Sequence, residues 1–326
     1  MSLADRSDLP DSSPTSPTSP PGRFVVVGNF DGVHRGHQAL LRRASLAARK
    51  RALQLTVLTF HPHPVVVLRG EERPSLTPLP LKKRLLRMAA HDLDVIVVPF
   101  DRQLAQLGPE QFSQRILVEQ LGAQVVLVGR NFRFGQGRAG DFARLVELGQ
   151  KGGFQALSHD LEGDETGAYS STRIRELLAQ GDVEGAADIL GRPYVLSGTV
   201  VRGDQRGQAL GFPTANLDQL EQIVPRDGVY AVHVHDAEPG GTYLGVGVTN
   251  FGSRPTVERP PSYEVHLIDQ DCDLYGRRLA VQMVKRLRSV QKFSSVSELK
   301  QQIALDVERA RAVGRVGRIP EGVRWW

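Results

Sequence analysis

The hydrophobic pattern changes character twice along the chain. Residues 1–22 carry no apolar period and are rich in Ser, Thr, Pro and Asp, a composition that predicts a disordered leader. From Arg23 the pattern turns apolar. FVVVGN (24–29) is a continuous hydrophobic run, as expected of a strand covered on both faces. Helical periodicity follows over 36–53, then a second buried strand over 53–60. The alternation continues with a helix over 79–91, a strand over 94–100, a helix over 109–122 opened by Pro109, and a strand over 124–129. A helix over 141–150, a short strand over 154–159 and a helix over 171–180 stopped by Gly181 complete this part. Repeated strand and helix predict a parallel sheet with helices on both faces, and ligands bind such sheets beyond the carboxyl ends of the strands.

A helical connector is expected over 183–193, after which the period falls to two. YVLSGTVVRG, GVYAVHVHD, TYLGVGVTNF, SYEVHLIDQ and RLAVQMVKRL alternate apolar with polar between Gly and Pro turns, which predicts a small antiparallel barrel. One amphipathic helix over 296–310 should pack on it. The chain thus divides into a leader (1–22), an α/β unit (23–186), a barrel unit (187–311) and a C-terminal tail (312–326) whose two terminal tryptophans, Trp325 and Trp326, are expected to dock on the protein.

Composition narrows the picture modestly. At roughly 150 residues per domain, 326 residues with 40% hydrophobic content can fill two cores. Cys272 is the one cysteine, which excludes an internal disulfide and any multi-cysteine zinc site. The leader lacks the apolar core of a secretory signal, and no window approaches the roughly 20 apolar residues of a membrane span. A cytoplasmic protein without membrane partners is expected. The excess of 41 Lys and Arg over 36 Asp and Glu is spread along the chain, so no nucleic-acid partner is expected either.

Two stretches carry candidate chemistry. GNFDGVHRGH (28–37) lies where the first strand meets the first helix. Gly28, Gly32 and Gly36 permit a tight turn and close ligand approach, the helix start suits an anion, and His34 and His37 can face the same phosphate. No Gly-Lys pair occurs, so this is no Walker A loop. A zinc site built with His61 and His63 is disfavoured by the flanking prolines and the missing acidic ligand. GQGRAG (135–140) satisfies a dinucleotide fingerprint in form, with Asp160 twenty residues on, but NFRF separates it from its strand. SSTRIR (170–175) offers hydroxyls at a helix start and two guanidinium forks suited to phosphate. In the β half, Gly198, Gly203, Gly207 and Gly211 allow a loop to fold over a nucleotide. Thr214 and Asn216, two apart in an extended segment, offer hard oxygen ligands for Mg²⁺.

The ordered set GNFDGVHRGHQALL, TFHPHP, VGRNFRFGQGRAGD and SSTRIRELLAQGD resembles the prokaryotic bifunctional riboflavin kinase/FAD synthetase family, and the first of these also resembles the HxGH signature of nucleotidyltransferases. GFPTAN, GVYAVHV, TNFGSRPTV and EVHLIDQDCDLYG are similar to that family's kinase module, so the resemblance spans about residues 23 to 310. It implies an α/β fold class, with an N-terminal Rossmann-like nucleotidyltransferase domain followed by a small β-barrel kinase domain and a C-terminal helix. It implies phosphorylation of riboflavin to FMN and adenylylation of FMN to FAD, with ATP as co-substrate and Mg²⁺ as cofactor. Implied catalytic residues are His34, His37 and Arg173 in the first domain and Glu264, as base, in the second. Implied binding residues are Gly28, Asn29, Phe30, Asp31, Gly36, Asn131, Phe132, Phe134, Ser171, Thr172 and Arg175, then Gly203, Gly207, Gly211, Thr214 and Asn216, the last two also as metal ligands. Gln208 stands where the family often has an arginine, which implies a weaker grip on ATP phosphates. A single-function adenylyltransferase with an inactive barrel, and a non-catalytic flavin-binding protein, stay open at this point, as does the oligomeric state.

Overall fold

The computed structural model describes residues 22–70, 73–160, 162–203, 206–237, 241–252, 262–270 and 272–314. The expected leader up to residue 21, the SRPTV part of the third kinase motif and the tail with Trp325 and Trp326 lie outside them.

The first unit opens with β1 (Arg23–Val27), α1 (Arg35–Lys50) and β2 (Gln54–His61). Next come α2 (Pro64–Arg69), α3 (Leu79–Ala89), β3 (Asp94–Pro99) and α4 (Arg102–Ala105). α5 (Pro109–Phe112) continues as π-helical turns over Ser113–Gln120 into β4 (Ala123–Gly129). After α6 (Phe142–Gly152) and β5 (Gln155–His159), a two-stranded ribbon, β6 (Gly163–Asp164) and β7 (Gly167–Ala168), precedes α7 (Ser171–Gln180) and α8 (Val183–Leu190). The five main strands form one parallel sheet in the order β3-β2-β1-β4-β5. Its apolar strands are covered on both faces. Phe24 and Val26 point to the α1 and α3 side with Leu41 and Leu86, while Val25 and Val27 point to the other side with Leu117 and Leu145. The connections reverse direction between β1 and β4, so a crevice opens at their carboxyl ends.

The second unit is a closed six-stranded barrel. Its strands are β8 (Val195–Val201), β9 (Ala215–Asp218), β10 (Gly228–Asp236), β11 (Tyr243–Gly252), β12 (Ser262–Leu267) and β13 (Arg278–Arg288), in the spatial order β10-β11-β12-β9-β8-β13. One turn, α9 (Arg206–Leu210), precedes β9, and α10 (Val296–Gly314) closes the described chain. Along β10, Tyr230, Val232 and Val234 fill the barrel, whereas Val229 and Ala231 face the cluster containing Val307 and Ala310 of α10. This is the expected period of two.

The structure refines the sequence expectations at the ends. The connector stops at Leu190, where Gly191 takes the left-handed cap, and Gly181 ends α7 in the same way. α10 runs three residues into the expected tail, and the expected division at 186/187 falls inside α8. α8 shares a buried cluster with the barrel, through Ala186, Ile189 and Leu190 against Leu196 and Val281. The elements α2, α4, α9 and β6–β7 were not expected, since none is long enough to display a period.

Candidate active sites

The crevice beyond β1, β2, β4 and β5 is a cleft of about 760 Å³. It gathers Gly28, Asn29, Phe30, Asp31, His34, Gly36 and His37 from the first turn, Asn131, Phe132 and Phe134 from the loop after β4, and Ser171 and Thr172 from the start of α7. His63, Arg73 and His159, which sequence reasoning did not place in the site, line it too.

The first turn holds an unusual backbone. Phe30, Gly32 and Val33 all have left-handed φ, at 51°, 86° and 44°. For a β-branched valine that is strained, and such strain persists only where the surroundings over-determine it. Here they do. The buried Arg192 guanidinium donates to the carbonyls of Gly32 and Val33, and Gln38 donates to Val33 as well. Asp31 supplies a second tie. Its Oδ1 accepts from the backbone of Leu76 (2.9 Å) and Thr77 (3.3 Å), and its Oδ2 accepts from Arg175 at 2.6 Å. Its carbonyl accepts from Ser171 Oγ at 2.7 Å. Asp31 therefore staples the turn to α7 and to the 75–77 segment.

His34 is the N-cap of α1, its Nδ1 accepting the backbone N–H of His37. His63 caps α2 in the same way, with Nδ1 accepting from Val65 at 3.2 Å. Each bond leaves the ring proton of the neutral form on Nε2. Burial, reinforced by Arg192, pulls His34 down to about 4; burial, reinforced by Arg73, does the same for His63, also to about 4. His37 stacks on His34 with ring centroids 3.6 Å apart, and its enclosed Nδ1 meets no partner among the described groups. Burial, then the neighbouring His34, holds it well below the ordinary value. All three rings are neutral near pH 7. Lys82, also unforeseen, is buried beneath the turn, with Nζ donating to the Asn29 carbonyl at 3.2 Å.

The two arginines of α7 do not line the cleft with Ser171 and Thr172. Arg173 grips Asp164 on the β6–β7 ribbon with two bonds (2.9 and 3.1 Å) and also donates to Thr166 and the Gly167 carbonyl. Arg175 is spent on Asp31. Ser170 caps α7 by accepting from Arg173 N. Phe132 and Phe134 stack at 5.4 Å, with Phe134 buried against Phe112, so the loop after β4 presents an aromatic wall. Nothing in the sequence marks Arg192, Lys82 or His159 as site residues, because their proximity comes from tertiary placement alone.

In the barrel, β12 lies between β9 and β11, and Glu264 stands opposite Asn216 on one side and Asn250 on the other. Thr214 Oγ1 donates to Glu264 Oε2 at 3.4 Å. The glycine-rich segment folds over this group. A Cβ on Gly203 would collide with the Asn216 side chain, and one on Gly207 with the Phe212 carbonyl and Thr214 Oγ1. Gly211 takes a left-handed φ of 89° at the bend before the strand, and Gln208 is exposed on α9. Hydroxyl, amide and carboxylate oxygens thus converge under a glycine cradle, a donor set that suits a hard cation carrying phosphate oxygens. Among the described residues no three His, Cys, Asp or Glu side chains cluster as a metal site of their own.

Comparison with known proteins agrees with this division. The FAD synthetase family model matches residues 16–173 and the riboflavin kinase model residues 190–314. The bifunctional riboflavin kinase/FMN adenylyltransferase of Escherichia coli (strain K12) is 42% identical over 292 residues, covering 89% of this chain and 92% of that protein. The Bacillus subtilis (strain 168) protein of the same description is 38% identical over 293 residues, covering 88% and 90%. A crystal structure from Streptococcus pneumoniae, described as a macrolide-efflux protein, superposes with a TM-score of 0.78 at 31% identity over 90% of this chain and 95% of that one. Among the described residues of the present chain no helix is long and apolar enough to cross a membrane. With both family models matched in order and relatives aligned over nearly their whole length, the chain belongs to the family of bifunctional riboflavin kinase/FMN adenylyltransferases.

Proposed function

We infer that this chain makes FAD from riboflavin in two ATP-dependent steps, phosphorylating riboflavin to FMN in the barrel and adenylylating FMN in the α/β unit. The observation that carries the reading is that each of the two family models spans one of the two constellations: the His34–His37 turn in the first and the Thr214–Glu264 group in the second. The adenylyltransferase half runs over 23–186 and the kinase half over 187–311, meeting within α8. We place the enzyme in the cytoplasm, where ATP is available.

In the adenylyl step an FMN phosphate oxygen attacks the α-phosphorus of ATP. The bond to the β-phosphate oxygen breaks and pyrophosphate leaves. No protein nucleophile takes part, so the work is positioning and stabilisation of growing charge. The α1 and α7 N-termini favour the triphosphate, and His34 and His37 donate N–H to it from buried positions, where each bond counts for more than in open water. Asn131 donates to phosphate, and Phe132, with Phe134 behind it, walls the isoalloxazine. Arg173 is assigned to the departing pyrophosphate, which it meets by exchanging the Asp164 carboxylate for phosphate oxygens.

In the kinase step Glu264 takes the proton of the ribityl 5′-hydroxyl as that oxygen bonds to the γ-phosphorus and ADP leaves. Thr214 and Asn216 would hold Mg²⁺, and the glycine segment over them would cover the nucleotide. When bound, the ion neutralises phosphate charge. The test is direct: incubate the purified chain with riboflavin and MgATP, and separate riboflavin, FMN and FAD over time. FMN should rise first and FAD follow. FAD from supplied FMN without any FMN from riboflavin would leave a single-function adenylyltransferase.

A further inference from the structure

The segment that carries Thr214 and Asn216 has a weakness built into its sequence. Its ladder to β12 has two register pairs among the described residues, Asn216 with Glu264 and Ala215 with Val265. Pro213 has no N–H and cannot extend the pairing. The structure supplies a side chain instead. His266, two residues beyond Glu264 on the same face of β12, places its Nδ1 2.8 Å from the Pro213 carbonyl oxygen. A carbonyl only accepts, so Nδ1 must carry the proton, opposite to the Nε2–H form that the capping bonds give His34 and His63. The ring of Phe212 meets the His266 ring edge-on at 5.6 Å, and Phe212 itself packs against the apolar cluster that holds Val307 and Ala310 of α10.

We propose that His266 is a positioning residue of the kinase site: its Nδ1–H holds the Pro213 carbonyl and so fixes Thr214 and Asn216 in register with Glu264. The proposal rests on the kinase reading above. Removing the partner that orients a metal-binding group typically costs 10–100-fold in metal affinity or activity. His266→Phe keeps an aromatic ring against Phe212 but has no donor, whereas His266→Asn offers an amide N–H near the same place. His266→Phe should therefore raise the Mg²⁺ concentration for half-maximal riboflavin phosphorylation roughly 10-fold or more, raise the KM for ATP, and leave the KM for riboflavin nearly unchanged. His266→Asn should restore most of the loss. Formation of FAD from supplied FMN should be equal in all three proteins, which reports that each is folded.

A second readout needs no turnover. In a long-range ¹⁵N–¹H spectrum of the histidine-labelled chain, the signal that disappears in His266→Asn should show the proton on Nδ1. An unchanged Mg²⁺ dependence in His266→Phe, or a neutral His266 with its proton on Nε2, overturns the proposal. A wild-type chain that makes no FMN overturns the kinase reading, and the positioning role in catalysis falls with it. The spectrum then still decides whether His266 holds Pro213.

Discussion

The stacked pair His34 and His37 is kept neutral by its surroundings, and that has consequences in two directions. For stability, a histidine whose folded value lies near 4 against an ordinary 6.5 refuses a proton that the unfolded chain accepts. Its contribution is fully present above pH 6.5 and is lost as the pH falls toward 4, with His63 adding in the same window. The urea midpoint should accordingly fall over that range, and replacing His34 by Gln should flatten the fall. For binding, a triphosphate beside the rings favours their charged form. MgATP should therefore carry net protons onto the protein at pH 5.5, measurable by calorimetry in buffers of different ionisation enthalpy, and less so in His34→Gln. In catalysis, His37→Ala should slow adenylylation by roughly 10²–10³-fold, the usual cost of one donor to developing charge, with riboflavin phosphorylation preserved. The placement of the pair at the cleft was legible because Gly-spaced histidines follow the first buried strand. Its protonation was not, since Arg192 and the burial that set it come from chain that is distant in sequence.

At the scale of elements, α7 is held by two unlike contacts. Arg175 and Asp31 form a pair with 14% and 8% side-chain exposure, and removing one partner of a buried pair costs about 3–5 kcal/mol. Asp31→Asn should lower the thermal midpoint by several degrees and weaken adenylylation, because the strained turn loses its tie to α7. Arg173 and Asp164 are more open, at 25% and 34%, and a solvent-screened pair of this kind adds little to stability. Asp164→Asn should therefore leave the thermal midpoint within a degree or two. It should lower the KM for ATP in FAD formation if Arg173 serves the departing phosphates; an unchanged KM would remove Arg173 from that step. From the sequence, Arg173 and Arg175 both read as phosphate forks, the first as catalytic and the second as binding. Their separation follows from which acid the fold brings to each, and the ribbon bearing Asp164 is too short to announce itself. The long elements were legible because their apolar periods run for two turns or more, as in α1 and α6.

For the whole molecule, the two-part plan was readable from the change of period after Tyr194, but the joint was not. Leu76, Ile174 and Leu178 of the first unit share one buried cluster with Leu196, Val232 and Phe251 of the barrel. Backbone bonds tie Ser75 to Glu221 and Ile223 as well. Arg192, just before the barrel, reaches back to hold the turn that carries His34 and His37. The halves are therefore joined through packed core while keeping their chemical groups apart, and this separation is what a single substitution can test. Glu264 lies on β12, whereas the His34–His37 turn follows β1 in the other unit. A base acting on a hydroxyl contributes typically 10²–10⁴-fold. Glu264→Ala should thus remove most riboflavin phosphorylation while FMN still becomes FAD at the wild-type rate, and thermal melting should confirm an intact fold. Equal loss of both steps with an unchanged melt would mean that the barrel and the α/β unit do not divide the chemistry between them.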